Sequence, residues 1–291
     1  MIDTIQPVTH DLGAFKVRRV LPSPGRVMVG PFIFVDEFGP ATIPPGQAMD
    51  VRPHPHIGLA TVTWLFDGAI MHRDSLGSKA VIRPGQVNLM IAGKGIVHSE
   101  RGLPEERELA KKMFGMQTWL ALPDGLEEVA PAFESLADLP LVEDSCVSAR
   151  VIMGTLWGRT APTTQHSPTI YAEIALAPGG SLPIDADADE RAVMLVEGEA
   201  SVDGQDLALY ALNVLTPGAV MKLGSTLGGR VMLLGGGAFA TPRHVWWNFV
   251  HSRRDAINQA KDDWVQGRFP QVPGDEDEFI PLPQVPLTNS D

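Results

Sequence analysis

Between Gly58 and Glu100 the chain is cut again and again by turn signals: Asp67-Gly68, Asp74-Ser75-Leu76-Gly77, Pro84-Gly85 and Gly93-Lys94-Gly95. The apolar runs between them last about ten residues or less, too short for helices that bury a face but right for strands. A helical bundle and a doubly wound α/β fold both need longer periodic segments, so this rhythm confines the chain to an antiparallel sandwich or barrel. The 25 prolines and 29 glycines are spread along the sequence, as many short strands and turns require.

The rhythm recurs in YAEIALAPGGSLPI, RAVMLVEGEASVDG, LNVLTPGAVMKL and GRVMLLGG. Leu195-Val196-Glu197-Gly198 reads as the counterpart of Leu65-Phe66-Asp67-Gly68, and Pro217-Gly218 as that of Pro84-Gly85. An internal duplication accounts for both. The expected organisation is an all-β chain of two tandem β-barrels with a C-terminal helix: a first barrel over 1–125, a linker over 126–147 rich in acidic residues and proline, and a second barrel with helix and tail over 148–291. Residues 252–267 carry Ser252 as an N-cap candidate, Ala256, Ile257, Ala260 and Trp264 at helical spacing, and Gly267 as a stop. Beyond Pro270 the tail is expected to be extended and partly mobile.

His54-Pro55-His56 and His98-Ser99-Glu100 are two potential ligand pairs, each spaced i, i+2. Alternate side chains of a strand share a face, so neighbouring strands would bring three imidazoles and one carboxylate to a point. Such a set suits divalent Fe, Mn, Co, Ni, Cu or Zn, and leaves about one net positive charge and roughly two open positions for an anionic oxygen. Carrying the parity onward turns Val62, Trp64 and Phe66 inward and Thr61 and Thr63 outward. Sliding the ligands onto the second copy puts Ile184, Ala186, Val231 and Leu233 in their places, which bind no metal.

The formal net charge is −12 with no Lys/Arg-rich run, which argues against direct nucleic-acid binding and favours a protein over DNA as any macromolecular partner. The start MIDTIQPVTHDLGAF lacks the pattern of a signal peptide, and no apolar stretch suffices to span a bilayer, so a cytoplasmic location is expected. Cys146, the sole cysteine, reads as a small core residue rather than a nucleophile. His72, close to Asp74, reads as a surface or hydrogen-bonded group, Trp246-Trp247 as packing, and Gln117 as a residue whose parity leaves its direction open; His10, His166, His244 and His251 are given no role.

FKVRRVLP, PFIFVDEFGP, HPHIGLATVTWLFDG, MHRDSLGS, RPGQVNLMIAGKGIVHSER, QTWLALP and PRHVWWNFVHS with its helix and GRFP together resemble the pirin family of the cupin superfamily, over nearly the whole length. The resemblance implies a bicupin with one metal, in the N-terminal barrel only, held by His54, His56, His98 and Glu100. Iron is the first expectation, with Zn, Ni, Cu, Mn and Co as alternatives. Many metal-binding cupins place a Glu shortly after the His-x-His pair, where this chain has Ala60, so any base function falls on Glu100. The activity implied is a quercetin 2,3-dioxygenase type of ring cleavage on a small aromatic substrate. The alternative is a redox-responsive regulator without turnover that acts through a protein partner, and a weaker third reading is a cupin that isomerises or binds a small metabolite.

Overall fold

A computed structural model describes residues 3–11 and 15–284. Regular structure among them is strand, save for the helix Arg254–Val265 and a single 3-10 turn at Pro104–Glu106. The chain divides into two compact units.

One unit comprises Thr9–Val17, Phe34–Ala137 and Ala240–Asp291. Its large sheet has seven strands in the order Ala132–Leu136, Val87–Ile91, Leu59–Asp67, Lys111–Ala121, Phe32–Ile43, Lys16–Leu21, Val8–Asp11. Its small sheet runs Val51–His56, Ile96–Arg101, Ile70–Asp74, Lys79–Ile82. Phe38, Leu65 and Met113 of the large sheet pack with Ile70 and Ile82 of the small one, so the inner faces of the two sheets make the core.

The other unit comprises Met1–Val8, Arg18–Ile33 and Asp138–Phe239. Its seven strands run Asp3–Ile5, Leu212–Val214, Glu190–Gly198, Gly229–Gly236, Thr169–Leu176, Val147–Met153, Leu141–Glu143, and its four run Ser181–Ile184, Met221–Gly224, Ser201–Val202, Gln205–Asp206. The strand order repeats that of the first unit, down to a β-bulge: pairing skips Phe66 between Leu65 and Asp67, and Val196 between Leu195 and Glu197. The duplication therefore holds, but one of its landmarks moves. Leu212–Val214 is the counterpart of Val87–Ile91, so Pro217-Gly218 follows that strand as Gly93-Lys94-Gly95 does, and is not the partner of Pro84-Gly85. The ladder Leu182↔Leu223 and Ile184↔Met221 matches His54↔His98 and His56↔Ile96. Leu182, Ile184 and Leu223, rather than Ile184, Ala186 and Val231, thus stand where the histidines do, and all three lie in an apolar core.

The compact units depart from a simple division at 126–147. The first strand, Asp3–Ile5, pairs with Leu212–Val214, and residues 132–136 and 141–143 are edge strands of different sheets rather than plain linker. The helix and tail group with residues 34–137, not with 148–239. Isolated β-pairs of two or three residues carry little sequence pattern, which is why composition alone suggested a linker there.

The helix is shorter than 252–267 and begins after Arg253, whose side chain makes no cap. Ser252 instead bonds Glu127, its backbone N–H to Oε1 and its hydroxyl to Oε2 at 2.6 Å. Ile257 and Ala260 bury against Ile57 and Phe249, with Trp246, Trp247 and Trp264 closing the cluster. The tail is held at several points over the described residues: Val272 is buried, Arg101 pairs with Asp275 and Glu278, and the Ile280 N–H donates to the Pro53 carbonyl.

Candidate metal centre

His54 and His98 sit directly opposite each other on the antiparallel pair Val51–His56 and Ile96–Arg101, and His56 lies on the same face two residues on from His54. Cross-strand and i, i+2 neighbours meet on one face, and the three ring centroids fall 4.4 to 5.0 Å apart. One nitrogen from each ring lies within 4.8 Å of the others. All three side chains are buried.

Burial removes water from these rings and disfavours their charged forms: it pushes His54 down to about 4, and His56 and His98 well below the usual histidine range. Neutral imidazole has one N–H and one lone pair, and the backbone decides which is which here. His54 Nδ1 lies 2.8 Å from the Arg52 carbonyl and His56 Nδ1 lies 3.1 Å from the Asn248 carbonyl. A carbonyl only accepts, so Nδ1 carries the proton in both and the Nε2 lone pairs turn inward. His56 Nε2 and His98 Nε2 approach to 3.2 Å. Uncharged rings gathered at one point, two of them steered by a backbone carbonyl, are in the state a divalent ion requires of histidine. The residues fit the ion.

Glu100 follows on the same strand, after a register shift between His98 and Glu100 in the pairing with Val51–His56. Its buried carboxylate turns toward the opposite sheet, 3.5 Å from the Thr63 hydroxyl and 3.5 Å from Gln117 Nε2, while Thr63 donates to Gln117 Oε1 at 2.7 Å. Burial pushes its pKa up, and His72 and the Thr63 hydroxyl offset only part of that rise.

Thr63 at this site reverses the expected parity. The alternation does not run through from His56 because Gly58, at φ +67, separates the ligand strand from Leu59–Asp67. Inward residues on the second strand are therefore Thr61, Thr63 and Leu65. Val62 and Trp64 are buried on the other face, and Phe66 is half-buried against Phe114. The aromatic surface beside the histidines comes from other strands. Trp119, opposite Thr61, meets the edge of His56 at 5.1 Å between centroids and stacks on Phe34 at 4.0 Å. Gln117, opposite Thr63, faces inward with it.

His72 is no surface group. It is 2% exposed, stacks on Phe133, bonds Asp74 Oδ2 at 3.2 Å and lies 5.4 Å from the His98 ring. Burial works against the Asp74 carboxylate, but bonds from His72 and Ser78 outweigh it and hold its pKa below the usual range. His251 is also buried, its Nδ1 3.4 Å from Glu127 and its Nε2 3.6 Å from Glu128, in a cluster with Arg243. His251 has no partner at strand spacing, the signal that exposed the other three; His72 has one in Asp74, two residues on, and the pair bond each other. Cys146 is half-buried in the Asp144–Val147 turn rather than in the core.

The profile of the family described as Pirin matches residues 14–120, and that of the Pirin C-terminal cupin domain matches residues 171–270. A pirin-like protein of Caulobacter vibrioides is 47% identical, across 98% of this chain and 100% of that one. A crystal structure of quercetin 2,3-dioxygenase from Acinetobacter baumannii superposes with a TM-score of 0.91 at 36% identity, covering 98% of this chain and 96% of the other. The bacterial pirin of Escherichia coli in complex with nickel(II) superposes with a TM-score of 0.66, covering 81% and 99%; at 17% identity it speaks for the tandem cupin fold alone.

Proposed function

The chain belongs to the pirin family, and from that premise we propose that its first cupin unit holds one divalent transition metal on His54, His56, His98 and Glu100 and performs O2-dependent ring cleavage of quercetin-type flavonols or related aromatic substrates. The observation that carries this is the trio of buried, uncharged imidazoles whose Nδ1 protons are committed to backbone carbonyls in His54 and His56. The 36% identical quercetin 2,3-dioxygenase supplies the substrate class.

A bound ion would supply Lewis acidity toward an anionic oxygen and, if redox-active, access to O2 chemistry, which makes iron the first candidate among ions sharing these ligands. The chain's own residues do the rest. Glu100, once loosened from the ion, is the carboxylate that accepts the proton of a flavonol hydroxyl. Gln117, whose Oε1 accepts the Thr63 hydroxyl, turns its Nε2 toward that carboxylate. Trp119 and Phe133, set against His56 and His72, give a flat apolar ligand surfaces to lie on and exclude water from the reacting face.

Elemental analysis of the wild type and of His98→Ala/Glu100→Ala tests the metal: about one ion per chain is expected in the first and almost none in the double variant, and equal contents refute the assignment. Metal-loaded protein mixed with quercetin and O2 should consume the flavonol, with turnover lost in His56→Ala. Absence of turnover with iron, nickel, copper, manganese, cobalt and zinc alike would replace the enzyme reading with a metal-dependent regulator acting through a protein partner.

A further inference from the structure

Asn88 lies in the strand Val87–Ile91, whose five residues are all buried, and it is the polar one among Val87, Leu89, Met90 and Ile91. In the antiparallel ladder it is directly opposite Thr63, which is in turn opposite Gln117. Residues paired across strands put their side chains on the same face. Asn88, Thr63 and Gln117 therefore form a polar row across three adjacent strands, on the inner face that Thr63 and Gln117 turn toward Glu100.

Two members of the row are satisfied and one is not. Thr63 and Gln117 bond each other and approach the Glu100 carboxylate. Asn88 is 2% exposed, and neither its Oδ1 nor its Nδ2 finds a hydrogen-bond partner among the described residues. A buried carboxamide without partners is disfavoured, and a Val or Leu would fill the same strand position without that cost. A hydrogen-bonding group that enters the site would satisfy the amide.

We propose that Asn88 is a ligand-binding residue of this centre: its carboxamide hydrogen-bonds an oxygen of a planar, polyoxygenated substrate, fixing the ring whose neighbouring hydroxyl faces Glu100. The inference rests on the flavonol reading given above and adds to it a polar contact on the sheet opposite the histidines. A carboxamide offers both a donor and an acceptor, so it fits a keto oxygen or a hydroxyl, and it discriminates against flat hydrocarbons of the same size, which would leave it unpaired.

The test uses the metal-loaded full chain, with quercetin and the flat hydrocarbon 2-phenylnaphthalene, which has neither a keto oxygen nor a hydroxyl, as probes, read by fluorescence quenching. Asn88→Leu keeps volume and removes the polar atoms; Asn88→Ser serves as the second variant should the first fail to fold. Quercetin affinity is expected to fall about 10-fold or more in Asn88→Leu, while 2-phenylnaphthalene binding does not weaken, metal content stays at the wild-type level, and the thermal midpoint of the ligand-free protein does not drop. A purely structural asparagine would give the reverse pattern: a lower midpoint and unchanged quercetin affinity, which overturns the assignment. If the wild type binds quercetin and both variants bind it equally, Asn88 falls and the flavonol reading stands. If the metal-loaded wild type binds no quercetin, the flavonol reading and the Asn88 assignment fall together.

Discussion

Replacing Gly58 by alanine should disturb the metal centre from the turn that separates its ligand strand from the opposite sheet. Gly58 has φ +67, and a Cβ built on it would stand 1.8 Å from the Val250 carbonyl oxygen and 2.9 Å from the carbonyl carbon. The left-handed conformation alone costs a non-glycine residue about 1–2 kcal/mol. The collision is with backbone, so it is relieved only by moving the Phe249–His251 strand, which weakens the Val250 N–H bond to the Ile57 carbonyl at 3.2 Å. That bond adds about 1 kcal/mol, for a total of about 2–3 kcal/mol and a fall in Tm of about 4–12 °C for a domain of this size. Displacing this segment also moves the Asn248 carbonyl that fixes the His56 tautomer, and loss of such an outer partner weakens metal binding about 10- to 100-fold. Gly85→Ala is the control. Gly85 has φ +81 with nothing within 4 Å of the added Cβ, so it should show the conformational cost alone and bind metal normally. Thermal melting and competitive chelator titration of both variants read the two effects. Equal midpoints and equal metal affinities for Gly58→Ala and Gly85→Ala would refute the reasoning, because they would mean that the carbonyl contact transmits nothing.

Two further outcomes are expected. The metal-free protein should lose stability in acid: burial lowers the His54 pKa from 6.5 to about 4, so the unfolded chain takes up its proton first as pH falls through that window. The contribution is full above the unfolded value and is lost at about 1.4 kcal/mol per pH unit down to the folded one, with His56 and His98 adding in the same direction; denaturant midpoints that stay flat from pH 7 to 5 would contradict it. Arg243→Met should destabilise by about 3 kcal/mol, because the buried guanidinium bonds the Leu122 carbonyl and lies 3.4 Å from the buried Glu127, which would lose its neighbouring cation and keep the bonds from Ser252; a melting temperature within about 2 °C of the wild type would exclude that role.

Much of this centre is legible in the sequence because the signals are local. The i, i+2 spacing of His54 with His56 places both on one face of a strand, while His98 opposite His54 follows only if the two strands are neighbours, as their register makes them. The tandem repeat is readable for the same reason, from turns that recur at the ends of equivalent strands. What escapes is set by contacts with no sequence period. Parity from His56 onward fails at Gly58, since a residue with positive φ resets which face follows, and so Thr63 lines the site while Trp64 does not. His72 and Trp119 come to the histidines from strands far apart in the chain, and no spacing rule links them. The edge strands Asp3–Ile5 and Ala132–Leu136 are so short that only their partners define them. Ser252 has the residue type of a helix cap but meets Glu127 first.

The carbonyl that orients His56 belongs to Asn248, 192 positions later. A ribosome delivers the candidate ligands within the first hundred or so residues, well before that carbonyl is made, and the opening strand Asp3–Ile5 waits for Leu212–Val214. Neither unit is closed by a contiguous stretch of nascent chain. His54 has its carbonyl from Arg52 already made when it emerges, whereas His56 emerges unsteered and acquires its fixed direction only near the end of synthesis. On the metal reading proposed above, the full ligand geometry is then a property of the finished chain rather than of the nascent one.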